Sequence, residues 1–497
     1  MDKKTKIAAI IISLSFLITL SISLTNHISG DGCWHMSISR FISETGKLPT
    51  FEYLGRTDPF WPPPLFHIIN AAFYKFDSLF GLDGFFIRLI LPLASLFCLT
   101  LIFLITKKIY GKNIAVYSVL FLAFIPIFID YSSNYHIEIF LTCLMLGSIY
   151  FILKGRLALA GLFFGLSVLS KFNAPLILPA LIYLIYSKHK TNLKKYALFF
   201  AASSIGILSY VRSYLIFGNP VWPSLRSIFG GITVEGFGEL STPGMQIPNF
   251  LNIKVISANV LGLFGVPGGD ARTISFLNIP FVSFLFASLV IVGIIYLIPA
   301  ILSLYRILKN PKKISKVEIF LILWILPFAI FNIFYKYSET RMLIPIMPAI
   351  AILWAIGFNS IIKKVNLQKK MIITFVLLSL IAVSFAGIII FKSRIASNEW
   401  NRYDKDYVWI KENMPKDALF YSNGQCLTIN TERNARFLPL NKEDYKYIKA
   451  GYFFFNEKFN IEPQVTLTEE QQKFIQKQTK CAIIYSNPQT GTSICKI

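Results

Sequence analysis

Residues 7–35 read IAAIIISLSFLITLSISLTNHISGDGCWH. The first part, 7–25, carries no charge and is long enough to cross the roughly 30 Å hydrocarbon core of a bilayer as a helix. It ends in Gly30-Asp31-Gly32-Cys33-Trp34-His35. A carboxylate that close to a membrane face is costly to place and implies a task.

The rest of the chain extends this reading. Of 497 residues, 54% are hydrophobic and only 15% charged, with 46 Phe; a soluble chain carries about 25% charged residues. The apolar residues come in long blocks, and the blocks predict an all-α polytopic membrane protein with about eleven spans. These are 7–25, 84–105, 113–129, 138–153, 157–170, 174–187, 195–217, 276–305, 316–335, 341–361 and 370–392. Two of them, 157–170 and 174–187, fall short of the ~20 residues of a full crossing and read as a tilted or partly buried pair. The basic start without a small-x-small cleavage site favours an uncleaved first span over a signal peptide.

The net charge of +23 does not point to nucleic acid, because the excess is spread over short loops rather than gathered on a polar domain. One set of loops (MDKKTK, TKKIYGK, KGR, SKHKTNLKK, YRILKNPKKISK, KKVNLQKK) is basic. The alternate set holds Asp31, Glu44, Glu52, Asp58, Asp130, Glu138, Glu235, Glu239, Asp270 and Glu339. The positive-inside rule places the basic set and the N-terminus in the cytoplasm and the acidic set outside. The membrane domain then covers 1–392, with long outer loops at 26–83 and 218–275. MSISRFISETG reads as an amphipathic helix along the membrane surface. From about 393 the chain is polar: KDYVWIKENMPKDALFYSNG predicts a helix, a turn at Pro415 and a strand, and CAIIYSNPQTGTSICKI predicts two strands around a turn. A small extracytoplasmic α/β domain is expected over 393–497. Cys98 and Cys143 lie in apolar runs as packing residues. Cys33, Cys426, Cys481 and Cys495 are in polar stretches, where a Cys481–Cys495 disulfide is weakly suggested.

The charged residues at the outer ends of the spans are the candidates for chemistry. Asp31 is either a general base, partly desolvated and raised in pKa, or the N-cap of an interfacial helix. His35, four residues on, would share its helix face, as a partner of the base or as a second metal ligand. Glu138, in SSNYHIEIF, is a carboxylate at the same level, or an acid favoured by a helix N-terminus; His136 beside it reads as an interfacial residue. His67 follows the stiff FWPPPLF. Lys171, Arg212 and Arg341 sit at outer ends, where the positive-inside bias disfavours cations, and together suggest an anionic ligand.

In this order GDGCWH, ETGKLP, PPPLFHIINAAFYKF, GLFFGLSVLSKF, VRSYLIFGNPVWP, YSETRMLIPIMPAIAIL and WIKENMPKDALFYSNG resemble the GT-C superfamily of membrane glycosyltransferases, over nearly the whole chain. The branch that looks similar contains the dolichyl-phosphate-mannose protein mannosyltransferases and the bacterial aminoarabinose transferase. The resemblance implies transfer of a sugar, a hexose such as mannose, from a polyisoprenyl-phosphate carrier to a protein, lipid or glycan at the outer face, with inversion at the anomeric carbon. It implies Asp31 as general base, with His35 and Glu138 in the catalytic set. Lys171, Arg212, Arg341, His67, Arg56 and Asn219 form the substrate-binding set, and the bilayer supplies a groove for the lipid. Many relatives carry Asp-Glu where this chain has Asp31-Gly32. The Trp-Trp-Asp signature of oligosaccharyltransferases and the acidic pairs that bind metal are absent, so no cofactor is indicated and a divalent metal stays open. The rival expectations are a lipid-linked-sugar flippase, which would place charges at mid-membrane depth, and a non-catalytic glycan-assembly subunit. The expected host is a prokaryotic cell membrane.

Overall fold

The computed structural model describes residues 2–25, 28, 31–49, 60–82, 84–222, 225–232, 297–309, 314–334, 340–364, 404–422, 426–436, 450–456 and 481–497. These are mostly helical, with one small sheet. The first helix, α1 (Lys3–Thr25), has 23 residues and is about 35 Å long at 1.5 Å per residue. It is followed by α2 (Asp31–Thr45), α3 (Leu65–Phe80), α4 (Phe85–Tyr110), α5 (Lys112–Phe124), α6 (Pro126–Ser133), α7 (Glu138–Lys154), α8 (Leu157–Val168), α9 (Leu178–His189), α10 (Leu193–Ser203) and α11 (Ile207–Phe217). Beyond these lie the helix Lys316–Phe334, the 3-10 turn Thr340–Ile346 and the helix Met347–Lys363.

Among the described residues, Lys3–Thr25, Phe85–Tyr110, Leu193–Phe217 and Thr340–Lys363 are long and apolar enough to cross a membrane. The expected eleven spans are not reached there, because α7, α8 and α9 have only 17, 12 and 12 residues. The expected span 370–392 and most of 276–305 lie outside the described residues. The expected straight span 113–129 is a correction: α5 and α6 meet at a 61° bend. Pro126 has no N–H to give to the preceding turn, and its ring holds Ile125 in extended backbone (φ −72°, ψ 126°). With the bend counted as one broken crossing, up to five stretches among the described residues meet that test.

The described part of the loop between α1 and α4 folds into two helices. The interfacial helix begins at Asp31, five residues before the expected stretch, so GDGCWH is mostly helix. Its residues Cys33, Met36 and Ile38 are buried, and it packs against α3. Asp77, near the end of α3, accepts hydrogen bonds from the Phe86 and Ile87 amides (2.8 and 2.9 Å). A carboxylate from another helix thus caps α4, whose first amides have no partner within the helix. Arg88 of α4 donates to the Ser23 carbonyl at 2.7 Å and fixes the C-terminal end of α1.

The membrane part is held by close helix packing. A methyl built on Gly161 of α8 would run into the Phe199 carbonyl of α10, and one on Gly165 would meet the Ser203 carbonyl at 2.8 Å. This small-x3-small pair lets two backbones touch, the means of association left when lipid is as apolar as the side chains. Trp324 donates to the Pro345 carbonyl at 3.0 Å, tying helix Lys316–Phe334 to the 3-10 turn 340–346.

The helix Asp404–Asn413 precedes a five-stranded sheet of order β2-β1-β3-β5-β4. The strands are β1 (Leu419–Ser422), β2 (Asn434–Arg436), β3 (Tyr452–Asn456), β4 (Ala482–Asn487) and β5 (Thr492–Lys496). β1 pairs in parallel with β2 and β3, whereas β5 pairs antiparallel with β3 and β4. The helix, the turn at Pro415, the first strand and the final hairpin fall where the sequence predicts them. Asp406 is wholly buried and accepts from Tyr485, Asn487 and Thr492 at 2.6, 2.7 and 2.7 Å, so it joins the helix to the hairpin. Cys481–Cys495 is bonded. A second disulfide, Cys33–Cys426, spans 393 residues of sequence and was not foreseen.

Candidate active site

Four side chains from separate elements converge where α2, α7, the end of α8 and the 340–346 turn come together. Asp31, the first residue of α2, accepts from Arg341 Nη1 at 2.5 Å. Glu138, the first residue of α7, has a side chain only 2% exposed and accepts from Lys171 Nζ at 2.6 Å. Arg341 Nε lies 3.9 Å from the same Glu138 oxygen. Arg341 Nη1 also approaches His136 Nδ1 at 3.3 Å; for that contact to be a hydrogen bond Nδ1 must be the acceptor, so the ring proton sits on Nε2. The arrangement alternates in sign: Asp31, Arg341, Glu138, Lys171. Both carboxylates start their helices, where the backbone amides favour negative charge. The second oxygen of Glu138 is buried with no hydrogen-bond partner among the described residues.

Removal of water around Asp31 pushes its pKa up, as the sequence reading expected. The Arg341 guanidinium, with His136 and His35, outweighs that effect, so the carboxyl is held below the usual carboxylate range. The expectation of a raised pKa is corrected for this reason. The side chain remains 49% exposed, so the carboxylate is accessible while it is paired.

Next to this group lies a histidine pair. His35 Nδ1 and His67 Nε2 are 2.9 Å apart, which requires that one ring donate and the other accept. Phe66 packs edge-on to His35 and Trp34 edge-on to His67, and Phe60 lies edge-on to His67 at 5.1 Å. Burial drives His35 down to about 3 despite the Asp31 charge, and it lowers His67 well below its ordinary value, helped by His35 and Arg212. Both rings are therefore neutral at working pH. His35 Nδ1 thus faces His67 Nε2. Among the described residues no three His, Cys, Asp or Glu side chains converge in a way that could hold a metal ion.

The remaining expected residues are elsewhere. Arg212 donates to the carbonyls of Pro49 and Phe60 (2.9 and 3.0 Å) and lies over the Phe60 ring. It anchors residues 49 and 60 on either side of 50–59, and the Phe60 ring it covers packs on His67. Asn219 is wholly buried. Its amide donates to the Gly230 carbonyl and accepts from the Val221 amide, so the loop after α11 consumes it. The contacts described for Arg212 and Asn219 are thus with loop backbone, and Arg212 also acts on the charge of His67. Arg56 lies outside the described residues. His136 is the member that sequence reasoning set aside; its signal was its place two residues before Glu138.

The sequence matches the family described as Dolichyl-phosphate-mannose-protein mannosyltransferase over residues 62–216. No curated protein matches it. The fold is similar to that of ArnT from Cupriavidus metallidurans bound to undecaprenyl phosphate, with 11% identity, a TM-score of 0.66, and coverage of 98% of this chain and 97% of that one. ArnT in the apo state gives 10% identity, a TM-score of 0.67, and coverage of 100% and 98%. An oligosaccharyltransferase from Archaeoglobus fulgidus, tethered with an acceptor peptide containing the NVT sequon, gives 12% identity and a TM-score of 0.56, covering 90% of this chain and 69% of that one. The chain thus resembles the GT-C superfamily of membrane glycosyltransferases, with an ArnT-like fold.

Proposed function

We propose that the protein transfers a sugar from a polyisoprenyl-phosphate carrier to an acceptor at the outer face of a membrane, with Asp31 as general base. The observation that carries this reading is the alternating cluster of Asp31, Arg341, Glu138 and Lys171 at the helix ends. Lys171 and Arg341 offer a phosphate two cations from different elements, a strong way to hold a phosphate. Support also comes from the ArnT-like fold, solved there with undecaprenyl phosphate bound. The two disulfides favour an oxidising compartment, and hence the outer side, for α2 and the C-terminal sheet.

The chemistry follows from the charges. The acceptor O–H or N–H loses its proton to an Asp31 oxygen as the acceptor heteroatom bonds to the anomeric carbon. The bond from that carbon to the phosphate oxygen breaks, and the departing phosphate keeps the electron pair, stabilised by Lys171 and Arg341. Arg341 is paired with Asp31. A donor phosphate that competes for Arg341 loosens that pair and frees Asp31 to accept the proton. Glu138 holds both cations between turnovers.

The test uses purified protein with radiolabelled polyprenyl-phosphate sugars, mannose and glucose first, and follows release of the lipid phosphate. Turnover that is lost in Asp31→Asn, with folding intact, supports the enzyme and names its donor. A folded wild-type sample that releases phosphate from no donor, with membrane extract as acceptor, shifts the weight to a flippase or an assembly subunit.

A further inference from the structure

The cluster above works only if α2 is held in one axial and rotational position, since its first residue carries the base. What holds it is not in the membrane domain alone. Cys33 and Arg40 are seven residues apart and so share one stripe of α2. Both reach the same short segment of the C-terminal region. Cys33 is bonded to Cys426, with Cα atoms 5.0 Å apart. The Arg40 guanidinium, almost wholly buried, donates to the Thr428 carbonyl at 3.0 Å and to the Glu432 carbonyl at 3.1 Å. It is steadied by Glu44 at 2.7 Å. Ile429 between these points packs with Met36, Phe66 and Tyr135. Asp31, two residues before Cys33, lies about 200° round the helix from it and faces Arg341 instead.

We infer that Cys426–Arg433 of the C-terminal region is a positioning element for the helix that carries Asp31, acting through the Cys33–Cys426 bond and the Arg40 clamp. Two attachments one above the other fix both the slide and the roll of α2. Neither touches the expected phosphate site, because Lys171 and Arg341 belong to other elements. Transfer therefore depends on the oxidised state of this one disulfide. The activity arm rests on the proposed function; the structural arm does not.

The experiment uses the full chain in detergent. Four samples are compared with wild type: the protein reduced by dithiothreitol, Cys33→Ser/Cys426→Ser, Cys481→Ser/Cys495→Ser and Arg40→Lys. Mass spectrometry verifies each bond. The expected result is a fall in kcat of about 10- to 100-fold on loss of Cys33–Cys426, the scale on which an ångström of misplacement acts. KM for the donor stays within about twofold, as expected for a group that does not bind substrate. The Cys481→Ser/Cys495→Ser protein keeps wild-type kcat, and Arg40→Lys, which keeps one donor of the clamp, lies between. Unchanged kcat in verified Cys33→Ser/Cys426→Ser overturns the inference. If wild type turns over no donor, amide hydrogen exchange decides it without activity. Faster exchange across 31–45, with 85–110 unchanged, supports the positioning role, whereas equal rates across 31–45 overturn it.

Discussion

Gly32 shows how much one residue settles here. A β-carbon at that position would lie 2.9 Å from the Ile28 side chain and 3.2 Å from both the Tyr135 carbonyl and Cβ. The absence of a side chain lets the first turn of α2 sit against residue 135, and so brings Asp31 to His136 and to Arg341. A Glu side chain at this position has no room. Gly32→Glu is therefore expected to lower kcat by about tenfold or more rather than restore a lost acid, since forcing volume into a packed contact shifts backbone. Steady-state kinetics beside a thermal unfolding curve checks this; higher activity in Gly32→Glu would overturn the steric account. At this scale Asp31, Glu138, Lys171 and Arg341 stand out in the sequence because charge at the end of an apolar block is costly without a role, and the structure brings the four together. Arg212 and Asn219 also satisfy backbone groups of loops, contacts that no local sequence pattern reveals. The low pKa of Asp31 was hidden too, since its guanidinium partner is 310 residues away.

At the level of elements, apolar run length located the helices well and their breaks poorly. The bend at Ile125–Pro126 had its signal in the proline. The 3-10 turn at Ala174–Ile177 is marked by Pro175, whereas the one at Ser204–Gly206 leaves no such mark, because hydropathy ignores the switch from one helical hydrogen-bond register to another. The contact of α8 with α10 depends on glycines at 161 and 165. Gly161→Val is expected to destabilise the folded protein by about 1–3 kcal/mol through overpacking, read as a lower unfolding temperature in detergent. The same change at Gly155, whose added β-carbon meets nothing within 4 Å, takes the strain of its positive φ of 75° but no packing clash. A Gly161→Val protein as stable as wild type would remove the close-packing account of this helix pair.

For the whole molecule, the pH response gathers the buried histidines and Asp31. Three rings, His35 at about 3, His136 at about 4 and His67 lower still than its ordinary value, are kept neutral chiefly by burial. Unfolded, each takes a proton below about pH 6.5. Between that pH and their folded values the unfolded chain binds more protons, so stability falls as the medium is acidified from about 6.5. Asp31 acts in the same direction lower down. Its depressed folded value contributes stability above the ordinary carboxylate range, near pH 4, which is lost as pH falls through its folded value. Unfolding temperature against pH is expected to decline steadily below 6.5, and His67→Phe is expected to flatten that slope; a profile flat from pH 7 to 4.5 would contradict the buried neutral pair. The amino-acid sequence by itself determined that the chain is a mostly helical membrane protein, and it marked the ends of the apolar blocks where charges stand. It did so because hydrocarbon imposes a one-dimensional rule of length and charge that can be read residue by residue. Only the tertiary structure decided that Asp31 pairs with Arg341, that Glu138 serves two cations, and that Cys426 is bound to Cys33. Those contacts join residues hundreds of positions apart, and their formation depends on how the helices pack, for which a single sequence carries no period or spacing.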